Sequence, residues 1–525
     1  MRFKPYLALI IIGLLVIACQ NESGDKDGED ETSSTPISLI VLPSQTFQTI
    51  QNFGASDAWS TQFVGKFWPD EAKNQMAKWL FSTENDTDGN PMGIGLSCWR
   101  FNIGGGSAEQ GNDSQIGDEW RRAETFLNED GSYDWTKQEG QQWFLKTAKA
   151  NGINQFIGFV NSPPVSLTKN GKAWSDNGSS ANLDASNYPA YADFLVNVIG
   201  NVETQTGVSF NFISPFNEPQ WDWKCCGQEG SPWNNSELFA MTEKLDSAFQ
   251  KNNISAKIEL TEAGQIDYLY SFSNLPNRGN QIKNFFDPNG SFYVGDLPSV
   301  AYKVAGHSYY STWDTDWLIE SRTLLNQKMK EVSSDLPYWM TEYTILENND
   351  EIKGNGRDLG MNAALYMARV IHADLTVANA EAWQWWLAIS PYDYKDGLIY
   401  TDYSKFGGNY TDSKMLWALG HYSRFIRPGY QRVQVRRSDN KTDIKGLLFS
   451  GYVSPNFDEL IVVLTNQTTR EHSIEWSGLS ENYKSVEVYL TNGSEDNNLT
   501  FQGVFELDSL ITLPRKSMVT CVIKN

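Results

Sequence analysis

Between about residue 50 and residue 427 the chain repeats one pattern eight times, a short apolar run of strand length and then a segment long enough for a helix. The runs lie at 51–55, 97–103, 153–161, 211–217, 257–262, 304–309, 338–343 and 382–387. Among the segments between them, 139–150, 188–199, 236–251, 317–332 and 362–377 carry apolar residues three and four apart, which predicts helices. Eight strands alternating with helices in one unit predict an α/β fold, a closed (β/α)8 TIM barrel over 50–427, rather than a doubly wound open sheet. No Gly-x-Gly-x-x-Gly stands at a strand-to-helix turn, and Gly104-Gly105-Gly106 reads as a tight loop above the second strand.

After Pro428-Gly429 the hydrophobic period falls to two. Alternating runs at 431–435, 446–453, 459–464, 472–476, 485–490, 503–507 and 518–523 are separated by Asn, Gly, Ser and Asp, and predict a β-sandwich over 428–525. Residues 37–49, where Ile37, Leu39 and Val41 alternate, precede the first barrel run and are expected to add strands to that sandwich. The two ends of the mature chain then meet in one side domain. That domain accounts for the excess of 525 residues over the roughly 250 a barrel needs.

The chain opens with Met1-Arg2-Phe3-Lys4, an apolar stretch from Tyr6 to Ala18, and Cys19. A basic start before an apolar segment too short to span a bilayer predicts a signal peptide over 1–18. Val16-Ile17-Ala18-Cys19 resembles a bacterial lipobox, which implies that Cys19 carries the lipid. Residues 19–36 are rich in Asp, Glu, Ser, Gly and Thr and read as a disordered tether. Their acidic run resembles the surface-export signal of Bacteroidetes lipoproteins. The protein is therefore expected outside the cytoplasm, anchored to the outer membrane through lipid alone, on the cell surface or its periplasmic face.

Net charge is −22, from 42 basic and 64 acidic residues, which repels nucleic acid and disfavours polyanionic substrates. Aromatic residues make up 13% of the chain, more than packing demands, and their faces suit the apolar C–H surfaces of sugar rings. The expected partner is a neutral polysaccharide or oligosaccharide, bound by a monomer. Beyond Cys19 the cysteines are Cys98, Cys225, Cys226 and Cys521, too few for a disulfide scaffold. Cys225 and Cys226 bond each other, or one of them reaches Cys98. The histidines His307, His372, His421 and His472 do not cluster with cysteine at ligand spacing, so no metal is expected.

Two segments carry the chemistry: Ser214-Pro215-Phe216-Asn217-Glu218-Pro219 and Tyr338-Trp339-Met340-Thr341-Glu342-Tyr343. Each ends a strand run in glutamate, where a barrel presents catalytic side chains. Two facing carboxylates are the equipment of a glycosidase, and in a retaining one they stand about 5–5.5 Å apart. Asn217 is placed to donate to a sugar hydroxyl beside the scissile bond. A surface turn at Glu218 and a buried ion pair at Glu342 are the structural readings of the same residues. Arg100, ending the second run, pairs with the nucleophile or makes a structural ion pair. His307 and Tyr309 end the sixth run and either orient the nucleophile or fill the core. In Trp383-Gln384-Trp385-Trp386, strand alternation gives Trp383 and Trp385 one face, so Trp385 is the expected sugar platform and Trp386 packs outward. Asp57, Trp59, Trp174, Trp221 and Trp223 lie on predicted loops after runs one, three and four as subsite candidates.

Glutamates ending strands four and seven, with Asn before the first and a split β side domain, resemble glycoside hydrolase family 30 of clan A. Further matches are Leu96-Ser97-Cys98-Trp99-Arg100-Phe101-Asn102-Ile103-Gly104-Gly105, Asn161-Ser162-Pro163-Pro164 and Leu513-Pro514-Arg515-Lys516-Ser517. The resemblance implies Glu218 as acid/base, Glu342 as nucleophile, Asn161 as a substrate contact, and hydrolysis with retention and no cofactor. The loop Asn217-Glu218-Pro219-Gln220-Trp221-Asp222-Trp223, followed by Gln228-Glu229-Gly230-Ser231, is most similar to endo-β-1,6-galactanases. β-1,6-Glucanase, glucuronoxylanase and exo-β-glycosidase activities are the other specificities within the family. Glucuronoxylanase would require a cationic pocket, and no clustered basic loop stands near the barrel mouth. A glycan-binding lipoprotein without catalysis is the reading from another class, and both glutamates argue against it.

Overall fold

The computed structural model describes residues 35–525, so Cys19, the signal peptide and all but the end of the tether lie outside the described residues. The described chain begins in the side domain with β1 (Ile37–Thr49) and passes directly into the barrel. Eight barrel strands follow: β2 (Asn52–Ser56), β3 (Cys98–Asn102), β4 (Gln155–Phe159), β5 (Phe212–Ser214), β6 (Lys257–Gln265), β7 (Val300–Tyr309), β8 (Tyr338–Tyr343) and β9 (Ala382–Ser390). Each falls on one of the eight expected runs. Neighbours are parallel, and β9 pairs with both β8 and β2, which closes the ring. The helices predicted from three- and four-residue spacing form as Glu139–Ala150, Tyr188–Thr206, Asn235–Lys251, Thr315–Val332 and Met361–Thr376. Two strands outside the prediction, β10 (Gly397–Thr401) and β11 (Tyr410–Asp412), extend the sheet outward from β9.

The side domain holds β12 (Gln431–Arg437), β13 (Leu447–Val453), β14 (Glu459–Asn466), β15 (His472–Ser477), β16 (Ser485–Thr491), β17 (Thr500–Glu506), β18 (Ile511–Leu513) and β19 (Ser517–Lys524). β1 lies between β12, to which it is antiparallel, and β15, to which it is parallel. The N-terminal segment is thus an interior strand of this domain. The sandwich is one nine-stranded sheet that rolls over until β18 returns against β14 and β19. Its inner faces share a core including Leu39, Val41, Val462, Ile474, Leu513 and Cys521.

Helix Lys414–Ser423, buried at every residue, packs against both β10 of the barrel and β19 of the side domain. His421 Nδ1 lies 2.8 Å from Thr520 Oγ1 across that seam. At the entry to the barrel the Ile50 amide donates to Tyr430 and its carbonyl accepts from Gly429, at 2.7 and 2.8 Å. The barrel is thereby fixed at the point where β2 begins. The sulfurs of Cys225 and Cys226 lie against each other, while Cys98 and Cys521 are free and buried.

Asp57, expected on the loop after β2 as a subsite contact, is instead sealed beneath the rim. Its Oδ1 accepts from the Asn102 amide at 2.8 Å and from Gln141 Nε2 at 3.0 Å, tying β2 to β3 and to the helix that follows. Burial raises its carboxyl to about 8. A raised folded-state value means that Asp57 stabilises the fold fully below its ordinary value near 4, and that this contribution is lost as pH rises through about 8. Asp57→Asn keeps the accepting oxygen and has no proton to lose. Thermal melts are expected to show the stability of the wild type relative to Asp57→Asn declining between pH 4 and 8; parallel curves would show that Asp57 ionises freely.

Candidate active site

At the C-terminal rim three strands each carry one extra residue relative to their neighbours. Pairing slips at Glu262 between β6 and β7, at Thr341 in β8 against both neighbours, and at Trp386 between β9 and β2. Bulges of this kind re-aim side chains. Glu262 sits at φ +57 in its bulge, and Glu218, just past β5, sits at φ +44. The Glu218 amide donates to the Glu262 carbonyl at 2.9 Å, and its own carbonyl accepts from Trp223 Nε1 at 3.0 Å. Gly264 leaves the room this arrangement needs: a Cβ there would stand 2.6 Å from Glu218 Oε1 and 2.5 Å from Gln220 Nε2.

Glu218, His307 and Glu342 present atoms that all lie within 4.8 Å of one another. Glu342 accepts from Arg100 Nη1 and from the Tyr309 hydroxyl, each at 3.1 Å. His307 Nδ1 stands 3.1 Å from Glu218 Oε1 and 3.6 Å from Glu342 Oε1, while its Nε2 stands 2.8 Å from Glu262 Oε2. Glu262 also accepts from Thr341 Oγ1 at 2.7 Å and lies 3.7 Å from Arg100 Nη2.

Because both ring nitrogens face carboxylates, His307 is held as imidazolium. Burial opposes that charge, but Glu342, Glu218 and Glu262 outweigh burial and lift its value to about 10. For Glu262 burial likewise opposes ionisation, yet the His307 hydrogen bond and Arg100 bring its carboxyl well below the usual range. Glu342 is pushed upward by burial, with His307 and Arg100 pulling against the rise. Burial and the charge of Glu342 hold the Tyr309 phenol in its protonated, donating form.

Above this cluster opens a cleft of about 260 Å³. Asn217, Glu218, Tyr309 and Glu342 line it together with Trp59, Trp221 and Trp223, while Arg100 and His307 stand behind the carboxylates. Four expected contacts are corrected. Trp385 is buried against Trp383 and Tyr343 and donates its Nε1 proton to the Asp396 carbonyl, whereas Trp386 lines the cleft. The bulge at Trp386 breaks the alternation on which the assignment to Trp385 relied. Asp57 is the brace described above. Trp174 is buried, with Nε1 donating to the Ser114 carbonyl at 2.8 Å, so it joins two loops. Asn161 is buried and is not among the residues that line the cleft.

Glu262 is the main residue that sequence reasoning missed. Its signal was present, since it ends the fifth run as Glu218 and Glu342 end the fourth and seventh. Arg121, Tyr310, Trp386, Tyr394 and Asp396 also line the cleft and lie on loops or a bulge with no periodic signature.

Residues 36–400 match the family described as O-Glycosyl hydrolase family 30. A conserved exported protein from Bacteroides fragilis, of known crystal structure, superposes with a TM-score of 0.87 at 35% identity, over 92% of this chain and 99% of that one. An endo-beta-1,6-galactanase of Hypocrea rufa is 23% identical over 296 residues, which span 53% of this chain and 60% of the relative. Glucuronoxylanase XynC of Bacillus subtilis (strain 168) is 24% identical over 364 residues, 68% of either chain. With its closed barrel, its rim glutamates and a family match over most of its length, the chain belongs to O-glycosyl hydrolase family 30.

Proposed function

We propose that the protein is a retaining, endo-acting glycosidase that cleaves β-1,6-galactan, with Glu342 as nucleophile and Glu218 as acid/base. The observation that carries this reading is the separation of the two carboxylates, whose facing oxygens lie within 4.8 Å. Carboxylates this close suit retention, for which the two groups stand about 5–5.5 Å apart, better than inversion, which uses a separation of roughly 6.5–9.5 Å. The galactan assignment is supported by the Hypocrea rufa relative and by the loop from Asn217 to Trp223. The same reading has the enzyme work outside the cytoplasm, held by a lipid on Cys19.

Charge balance assigns the starting proton. Two cations, Arg100 and His307, face three carboxylates, so full ionisation would leave one uncompensated negative charge in a buried site. With Glu262 held ionised, one proton belongs to the Glu218–Glu342 pair. In the proposed mechanism the nucleophile Glu342 carries the charge, supported by its contacts with Arg100 and the Tyr309 hydroxyl, and the acid role requires the proton on Glu218. Glu342 then attacks the anomeric carbon while Glu218 protonates the departing oxygen, giving a covalent glycosyl-enzyme. Water attacks the same carbon as Glu218 takes its proton, and the Glu342 ester bond breaks. In the first step one negative charge leaves Glu342 and one appears on Glu218. The cluster's total is unchanged, and His307 faces both ends of that transfer. Preorganised charge of this kind stabilises the transition state without rearrangement.

A second reading is favoured by Arg121. Its guanidinium lines the cleft, packed over Trp59 and Tyr392 at 5.5 and 5.1 Å, and is a cation within reach of a uronic acid substituent. Product analysis on linear β-1,6-galactan, β-1,6-glucan and glucuronoxylan separates the specificities: galacto-oligosaccharides from the first polymer alone support the leading reading, and cleavage of either other polymer replaces it. Activity is expected to survive a chelator.

Glu342→Gln is expected to abolish turnover while the glycan still binds. Glu218→Gln should slow cleavage of galactan by roughly 10²–10⁴-fold, and azide should restore turnover of an activated aryl glycoside with a β-glycosyl azide as product. An α-azide from that variant would reverse the two roles. The raised value of His307 predicts a stability contribution that is full below about 6.5 and lost as pH rises through about 10. The difference in melting temperature between wild type and His307→Gln should accordingly shrink across that window; a constant difference would mean that His307 is neutral in the fold.

A further inference from the structure

Immediately beyond β7 the chain exposes two large aromatic side chains and buries the two small residues between them. Tyr310 and Trp313 are 49% and 41% exposed, whereas Ser311 and Thr312 are 2% and 3% exposed. The buried pair is fastened on several sides. Ser311 Oγ donates to the Ser308 carbonyl at 2.7 Å, and Arg322, itself ion-paired with Asp374 at 2.7 Å, donates to the Ser311 carbonyl at 3.2 Å. The Tyr366 hydroxyl donates to the Thr312 carbonyl at 2.6 Å, and Asn349 Nδ2 to that of Trp313 at 2.9 Å. Tyr310 sits at φ +57, a region that side chains other than glycine's seldom occupy. An aromatic face left in water forgoes burial, and strained backbone persists only where surrounding contacts impose it, so this loop is constructed to hold the two rings outward.

The rings continue the cleft. Trp221, in the loop that carries Glu218, meets Tyr310 at 5.5 Å between centroids, and Tyr310 meets Trp313 at 5.8 Å. Trp221 and Tyr310 line the cleft, and Trp313 is the next ring out. Tyr310 lines the same cleft as Glu218. Glu218 protonates the departing oxygen in the mechanism above, so its side of the cleft receives the leaving portion of the chain.

We propose that Trp221, Tyr310 and Trp313 form a stacking platform for the leaving-group side of the glycan, with Trp313 binding a sugar residue beyond the cleft itself. This inference rests on the glycosidase reading given above, and it assigns that site a preference for neutral chains extending past the scissile bond on the acid/base side. Pre-positioned rings lose little entropy on binding, which is how a few aromatic contacts come to dominate recognition.

The test compares kcat/KM for β-1,6-galactohexaose with that for nitrophenol release from 4-nitrophenyl β-1,6-galactotrioside, which places no sugar on the leaving-group side. Trp313→Ala is expected to lower the ratio of the two about tenfold, the equivalent of one stacked contact, and Trp313→Phe should restore most of it. An unchanged ratio in Trp313→Ala, or an equal loss on both substrates, would overturn the platform. If the wild type leaves galactan intact and cleaves β-1,6-glucan or glucuronoxylan, the galactan reading falls, and the same ratio measured with that polymer's oligosaccharides decides the platform separately.

Discussion

Five ionisable side chains meet almost without solvent at the top of the barrel, and the placement of nearly everything around them follows from their need to neutralise one another. Arg100 and His307 supply positive charge to Glu218, Glu262 and Glu342 over contacts of 2.8 to 3.7 Å. A buried carboxylate stripped of its partner is penalised by several kcal/mol, so removing any one of these groups disturbs the rest. They arrive from five neighbouring strands or the residues just past them, β3, β5, β6, β7 and β8, a convergence that a closed parallel barrel makes possible. Glu262 links the set, since it contacts both Arg100 and His307, which in turn contact Glu342 and Glu218.

The strands by themselves do not deliver these side chains. Regular pleating would alternate residues strictly between barrel interior and exterior. The extra residues at Glu262, Thr341 and Trp386 break that alternation where the cleft begins, and so turn Glu262 toward the charge cluster and Trp386 toward the cleft. The side domain gives this rim a fixed foundation. β1 is held inside it as an interior strand, and the Ile50, Gly429 and Tyr430 backbones lock its junction with β2.

The barrel was legible because each strand is a continuous apolar run bounded by polar turns, and because the long outer helices keep a three- and four-residue apolar period. Glu218, Glu342, Arg100, His307 and Tyr309 were legible for the same reason, as polar residues within or closing such runs. Helix Lys414–Ser423 was not, since a helix buried on every side has no polar face to set its period. β18, three residues long, is too short to show alternation. The assignment to Trp385 failed on a bulge, which depends on how two strands pair and leaves no mark in either. Asp57 and Trp174 read as exposed polar and aromatic loop residues, yet both are buried and hydrogen-bonded to distant segments, Asp57 to Asn102 and Gln141 and Trp174 to Ser114.

The central proposal, that Glu342 acts as nucleophile and Glu218 as acid/base from closely spaced positions, predicts the stereochemistry of the product. Proton NMR of the first minutes of hydrolysis of β-1,6-galacto-oligosaccharide reads that directly from the anomeric signals. The account predicts that new reducing ends appear as the β-anomer, with the α-anomer growing in only as mutarotation proceeds. Reducing ends that first appear as the α-anomer would contradict it, because inversion uses carboxylates roughly 6.5–9.5 Å apart, wider than the 4.8 Å within which the facing oxygens lie here.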